Sequence, residues 1–249
     1  MNLTELKNKI KKRKIKRILQ KSYENNYTFY AGKTNKIITN QKDAKLLVEI
    51  IKEEGYDAYK PKLIIIARRA FPNLISIDDV ENIICKYGKP YDAYECALSI
   101  PGVNISKMED IILNAYRTNW SWLHEYRVSF AQYIPGANIQ KLQKSIIDEG
   151  NAEVLVEFMQ RVENADKVEI SYFLLENKKF ELFNKVKNML NENDVIEIVD
   201  QVADCGDAEI CDWVLNNVEM QEYYKYVLEF AKSVYANQSA DNNQVKCDL

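Results

Sequence analysis

The sequence predicts an all-α fold, an α-solenoid of about six helical-hairpin repeats with a small N-terminal appendage, from three observations. First, Ile100-Pro101-Gly102-Val103-Asn104-Ile105 returns as Ile134-Pro135-Gly136-Ala137-Asn138-Ile139, with weaker echoes at Val162-Glu163-Asn164-Ala165-Asp166 and Leu190-Asn191-Glu192-Asn193-Asp194. Second, Ile134, Val162, Leu190 and Val218 stand 28 residues apart, room for two short helices and two tight turns and too little for a separate core. Third, an apolar pair followed by glycine closes successive units: Ile50-Ile51 with Gly55, Ile83-Ile84 with Gly88, Ile146-Ile147 with Gly150, and later Cys205-Gly206. Glycine stops a helix because it takes the left-handed conformation without a Cβ clash.

At the N-terminus, residues 1–21 carry nine basic side chains (Lys7, Lys9, Lys11, Lys12, Arg13, Lys14, Lys16, Arg17, Lys21) against Glu5, a net +8. The whole chain carries −3, so the other 228 residues carry −11. Leu3, Leu6, Ile10, Ile18 and Leu19 put an apolar seam on this segment, as an amphipathic helix capping the first repeat requires. The same cations could neutralise phosphates, so Lys11, Lys12, Arg13, Lys14, Lys16 and Arg17 are the candidate nucleic-acid contacts. Membrane-surface binding and docking on an acidic protein are further uses of such a helix.

Residues 24–42 read differently. Tyr27-Thr28-Phe29-Tyr30 and Lys36-Ile37-Ile38-Thr39 are β-prone runs that suggest a small hairpin. Gly32-Lys33-Thr34 between them is not a phosphate loop, since Tyr27 occupies the position of the required first glycine. The expected organisation is 1–42 as basic helix and hairpin, 43–236 as one repeat domain, and 237–249 as a disordered tail.

Within the repeat domain, helix pairs are expected near 56–88, 89–116, 124–150, 151–178, 179–206 and 207–236. Val154, Leu155, Phe158, Met159 and Val162 make one apolar stripe, and Val168, Ile170, Phe173 and Leu174 the next, at helical spacing. Asn151 and Asp207 are placed to cap the helices that follow them. The step from Ile100 to Ile134 is 34 residues, so about six extra residues fall within 117–127, where an insertion would emerge on one face.

Composition fits a globular protein: 47% of residues are hydrophobic and 29% charged. No run approaches the roughly 18–20 apolar residues of a membrane span, and no secretory signal pattern stands at the N-terminus. Five cysteines, an odd number without metal-type pairing, suggest free thiols in a reducing cytoplasm. One histidine, His124, excludes two-histidine metal or catalytic sites. No catalytic, metal or cofactor constellation is expected, and the chain reads as non-enzymatic.

The insertion is the first candidate protein-binding site: Trp120, Trp122, His124 and Tyr126 alternate with smaller or polar residues between Arg117 and Arg127. Aromatics with arginine are the types enriched at interface hot spots. The alternative is that the tryptophans fill the wider gap between repeats. The second candidate is acidic: from Asn151 onward, 20 acidic residues face 9 basic ones, and Glu153, Glu157, Asp204, Asp207, Glu209 and Asp212 could meet the basic groove of a nucleic-acid-binding protein or ribonucleoprotein.

The unit Ile134-Pro135-Gly136-Ala137-Asn138-Ile139, with Lys141-Leu142, then Ile146-Ile147-Asp148-Glu149-Gly150-Asn151-Ala152-Glu153 and an apolar helix, resembles the short helical-hairpin repeats of proteins from phages and low-GC bacteria, of HEAT-like character. The resemblance runs over residues 56–234 and is strongest at 134–158. It implies an α-solenoid and carries no catalytic residues. It also suggests a phage-type protein acting in the host cytoplasm on host machinery, with inhibition of a bacterial CRISPR-type defence nucleoprotein as the specific expectation.

Overall fold

The structure, a computed structural model, describes residues 3–24, 36–53, 59–115 and 123–247. Among them it is all-helical: α1 (Leu3–Glu24), α2 (Gln41–Glu53), α3 (Lys60–Ala70), α4 (Ile77–Tyr87), α5 (Pro90–Ser99), α6 (Ile105–Asn114), α7 (Leu123–Tyr133), α8 (Ile139–Asp148), α9 (Ala152–Arg161), α10 (Lys167–Glu176), α11 (Phe180–Val186), α12 (Glu192–Asp204), α13 (Ala208–Asn217) and α14 (Glu222–Cys247). A 3-10 turn, Lys187–Met189, follows α11. No helix among the described residues is long and apolar enough to cross a membrane.

Side-chain oxygens open the helices. Ser76 accepts from Asp79 N at 3.1 Å, Asn104 from Lys107 N at 3.1 Å, Asn151 from Val154 N at 3.2 Å and Asp166 from Glu169 N at 2.9 Å. Asp207 caps α13 by accepting from Glu209 N and Ile210 N, as its sequence context predicts. Asn191 and Asp194 form a reciprocal capping box at α12. Helix ends use two devices. Gly150 and Gly206 lie at φ 71° and 78°, where a Cβ would be strained. Gly88 does not: its φ is −71°, and a Cβ there would come within 2.4 Å of the Ile84 carbonyl oxygen, so the glycine serves close approach of the chain to α4. Midway between Gly150 and Gly206, at the same 28-residue step, Lys178 holds the left-handed conformation at φ 54°.

The chain divides into two compact units, Met1–Asn138 and Ile139–Leu249, where one repeat domain over 43–236 was expected. The boundary falls at the Ile-Pro-Gly turn after the irregular 34-residue step. In the first unit α1 lies on α2, α2 on α3, and α3 on α4 and α5. There α4 also touches α5 and α6, α5 touches α6 and α7, and α6 touches α7. In the second unit α8 meets α9, α9 meets α10 and α11, and α10 meets α11 and α12. The last three helices, α12, α13 and α14, touch one another. These substantial contacts are with the next helix or the next but one, a helical-repeat-like pattern of local packing.

A buried polar side chain recurs at one position of the pattern. Glu81, Glu109, Gln143 and Ser171 each follow a buried apolar residue (Val80, Met108, Leu142, Ile170) and are themselves buried. Three of them reach forward to the backbone N–H of a later helix's capping residue. Glu81 accepts from Asn104 N at 2.7 Å, Glu109 from Asn138 N at 2.8 Å and Gln143 from Asp166 N at 2.9 Å. Each bond satisfies an N–H at the mouth of a turn and ties its helix to the turn that opens a later one. Ser171 is too short for this reach, and its hydroxyl has no hydrogen-bond partner.

Three expectations need revision. No strand occurs among the described residues: Lys36 and Ile37 form a turn, and Ile38 and Thr39 lead straight into α2. There Asp43 accepts from Thr39 N at 3.2 Å, so the local polar chemistry favours a helix cap over a second hairpin arm. Tyr27–Tyr30, Gly32–Thr34 and Gly55 lie outside the described residues. On α1, Ile15 and Leu19 are the side chains buried against the unit, whereas Leu6 and Ile10, assigned to the same seam, are 40% and 46% exposed. Finally, α14 continues past Ala236 to Cys247, where a disordered tail was expected; no glycine or proline in 237–247 interrupts it.

Candidate protein-interaction surface

Three helices of the first unit, α3, α5 and α7, are linked through α5 and carry an aromatic surface. On α5, Tyr91, Tyr94 and Leu98 follow at three- and four-residue steps and so share a face. On α7, Tyr126 and Tyr133 lie seven apart and share another. The two faces meet, because the Tyr126 ring sits 5.9 Å from Tyr91, edge-on, and 6.1 Å from Tyr94. Leu98 and Tyr133 are 57% and 51% exposed, and Tyr91 is also among the exposed large hydrophobic residues. Around them stand Lys62, with its ammonium 6.0 Å from the Tyr91 ring, and Arg69, paired with Glu95 at 3.9 Å.

Burial and a hydrogen bond to Glu95 push the Tyr91 phenol up to about 12. Burial likewise raises Tyr126. Asp92, buried on the opposite side of α5, is raised by burial although its carboxylate accepts from Lys89 N at 2.9 Å. It caps the helix and does not reach the surface.

The sequence-predicted residues of the insertion separate. Tyr126 belongs to the surface, and His124 is partly exposed. Arg127 is fully buried, which removes it as a surface contact: it follows Tyr126 on α7 and turns inward beside Val128 and Phe130. Arg117, Trp120 and Trp122 lie outside the described residues. Tyr91, Tyr94, Leu98 and Tyr133 were missed. Their signal is a second apolar stripe on helices that already have a buried one.

In the second unit the acidic candidates are partly engaged at home. Glu157 pairs with Arg161, Asp212 with Lys232, and both Asp207 and Glu209 with Lys178. Burial raises Asp207, but Lys178 and the two capping N–H groups outweigh it and hold the carboxyl below its ordinary value. Glu153 and Asp204 are exposed. Asp148, Glu176 and Asp204 recur at 28-residue steps in the last turns of α8, α10 and α12. A carboxylate there opposes the helix dipole; Asp148 is offset by Lys144 at 3.0 Å.

On α1, the candidate nucleic-acid contacts also divide. Lys11 pairs with Asp43, and Lys12 with Glu53 at 2.7 Å. Arg13, Lys14, Lys16 and Arg17 are exposed.

Burial pushes Cys96 up to about 12 and Cys211 to about 11, and raises Cys85 and Cys205. Among the described residues, no three His, Cys, Asp or Glu side chains gather as metal ligands would. No family model, curated protein or solved structure matches the chain.

Proposed function

We propose that the chain is a non-catalytic protein-interaction module, an α-solenoid of helical hairpins that engages a partner through the aromatic face of α5 and α7. The observation that carries this reading is the run of Tyr91, Leu98 and Tyr133 in solvent, backed by Tyr94 and Tyr126 and bordered by Lys62, Arg69 and Glu95. A contiguous apolar patch with a charged rim marks an interaction site, and tyrosines contribute large contact area at low entropic cost. The repeat architecture is supported by the local contact pattern and by the recurring buried bonds from Glu81, Glu109 and Gln143.

The exposed carboxylates Glu153, Glu176 and Asp204 favour a basic partner, of the kind that handles nucleic acid. A CRISPR-type defence nucleoprotein in a bacterial cytoplasm is the specific target that the phage-like sequence style suggests. The test is affinity capture from lysate of the cell of origin, with nuclease present, comparing wild type with Leu98→Asp/Tyr133→Asp. The reading expects a stoichiometric protein that survives nuclease and is lost with the double variant. Equal recovery by both baits would overturn it.

A second reading has its own observation. Lys7, Lys9, Arg13, Lys14 and Arg17 stand exposed on α1, so direct nucleic-acid binding is supported as an alternative. Under that reading nuclease removes all recovered material, and Arg13→Glu/Lys14→Glu abolishes binding while Leu98→Asp/Tyr133→Asp does not.

A further inference from the structure

The helices at the two ends of the chain each bury one face and expose a second, and the two exposed faces have opposite charge. On α1, Ile15 and Leu19 are buried while Leu6 and Ile10 are 40% and 46% exposed. At about 100° per residue, Leu6 and Ile10 lie roughly opposite the buried pair. Lys7, Arg13, Lys14 and Arg17 fall on the same outward side, and all are exposed. Lys11 and Lys12, paired with Asp43 and Glu53, flank the buried side instead.

On α14, Leu228 and Ala231 are buried, whereas Tyr223, Tyr226 and Phe230 are 68%, 68% and 63% exposed. Their spacing of three and four residues puts them in one stripe. Glu219, Glu222 and Glu229 are exposed around it. Lys225 and Lys232 are already engaged, Lys225 with Glu222 at 2.7 Å and Lys232 with Asp212.

We propose that the chain associates head to tail with copies of itself, the outer face of α1 on one copy docking against the outer face of α14 on the next. Pairing like with like would set one cluster of cations, or one cluster of carboxylates, against its twin. Only the heterologous pairing joins aliphatic to aromatic side chains and opposite charges at once. Residues 1–21 carry +8, while 22 acidic against 11 basic residues give 139–249 a net −11, so the same sign rule acts at long range. Two aliphatic and three aromatic anchors make a small contact. The association therefore belongs to the weak class, depends on concentration and falls with salt. A head-to-tail contact is heterologous, so it produces an open ladder of oligomers, or a ring where its rotation closes.

The experiment is sedimentation velocity on the full chain and two full-length variants: Leu6→Asp/Ile10→Asp blocks the head, and Tyr226→Asp/Phe230→Asp blocks the tail. All four positions are solvent-exposed, and circular dichroism checks that each variant keeps its helix content. Wild type should grow in mass with concentration and return to the 29.1 kDa monomer at high salt. Each variant alone should stay monomeric, and their equimolar mixture should form a dimer and nothing larger, since one intact head meets one intact tail.

The charge-reversed Lys7→Glu/Lys14→Glu repeats the head test without touching apolar positions. A monomeric wild type at every concentration overturns the proposal. A dimer abolished by the tail block and indifferent to the head block would also overturn it, because it would mean a symmetric α14 contact. If wild type stays monomeric yet floats with phosphatidylserine vesicles, the outer face of α1 is a membrane-surface element instead.

Discussion

Replacing Gln143 by leucine isolates the buried bond that ties α8 to the turn opening α10. The Gln143 amide is fully buried; its oxygen accepts from Asp166 N at 2.9 Å, and its nitrogen donates to Glu169 at 2.6 Å and to the Asp166 carbonyl at 3.3 Å. Leucine has nearly the same volume, so little cavity forms and the loss is that of the hydrogen bonds. Glu169 is exposed and regains water. Asp166 N–H loses its acceptor at a part-buried turn, at a cost of about 1–3 kcal/mol. For a chain of this size that is a fall in Tm of about 2–4 °C per kcal/mol.

The control is Ser171→Ala. Ser171 occupies the equivalent position but its hydroxyl bonds to nothing, so removing it should be neutral or slightly stabilising. Urea and thermal unfolding followed by circular dichroism would measure both. Equal stability of Gln143→Leu and wild type, or a Ser171→Ala loss as large as that of Gln143→Leu, would refute the assigned role of these bonds.

Acid should weaken the first unit through Glu81. Burial raises its carboxyl, but Lys107 and Asn104 N–H outweigh this and hold it below the usual 4.5. A depressed folded pKa means the stabilisation is complete above 4.5 and is lost as pH falls through the lower folded value. Glu81→Gln keeps an acceptor for Asn104 and should flatten that acid limb in pH-dependent urea melts; an unchanged limb would count against it. Gly88→Ala should cost more stability than Gly136→Ala, since a Cβ at Gly88 meets the Ile84 oxygen at 2.4 Å while one at Gly136 meets nothing within 4 Å and bears only the strain of φ 86°. Reversed ranking in thermal melts would contradict this. Lys178→Gly relieves the left-handed backbone and removes the pairs to Asp207 and Glu209. The variant should gain on wild type as salt screens those pairs, and a difference in Tm that ignores salt would exclude the ion-pair role.

What the sequence made legible was local. Asn151 and Asp207 cap the helices they precede because an N-cap depends only on a side-chain oxygen and the next turn. Helical periodicity was equally plain, since glycine, proline and apolar spacing act within a few residues. Partner choice between faces was harder. Leu6 and Ile10 have helical spacing with each other and not with Ile15 and Leu19, yet a list of apolar positions merges the two faces into one seam. The same ambiguity hid the stripe of Tyr91, Tyr94 and Leu98, because its helix also buries Ala93 and Cys96. Glu81, Glu109 and Gln143 are residue types that usually face solvent, and their forward bonds account for their burial. Arg127 failed as a surface residue because residue type alone carries no helical phase: it adjoins Tyr126, and adjacent helical positions point about 100° apart.

The most direct test of the protein-binding face is site-specific photo-crosslinking in the cell of origin. A photoreactive phenylalanine analogue replaces Tyr133 in one version of the full chain and the exposed Glu163 in another. One covalent adduct of defined mass is expected at position 133, formed with a protein, resistant to nuclease and absent at 163. No adduct at 133, or the same spread of adducts at both positions, would contradict it.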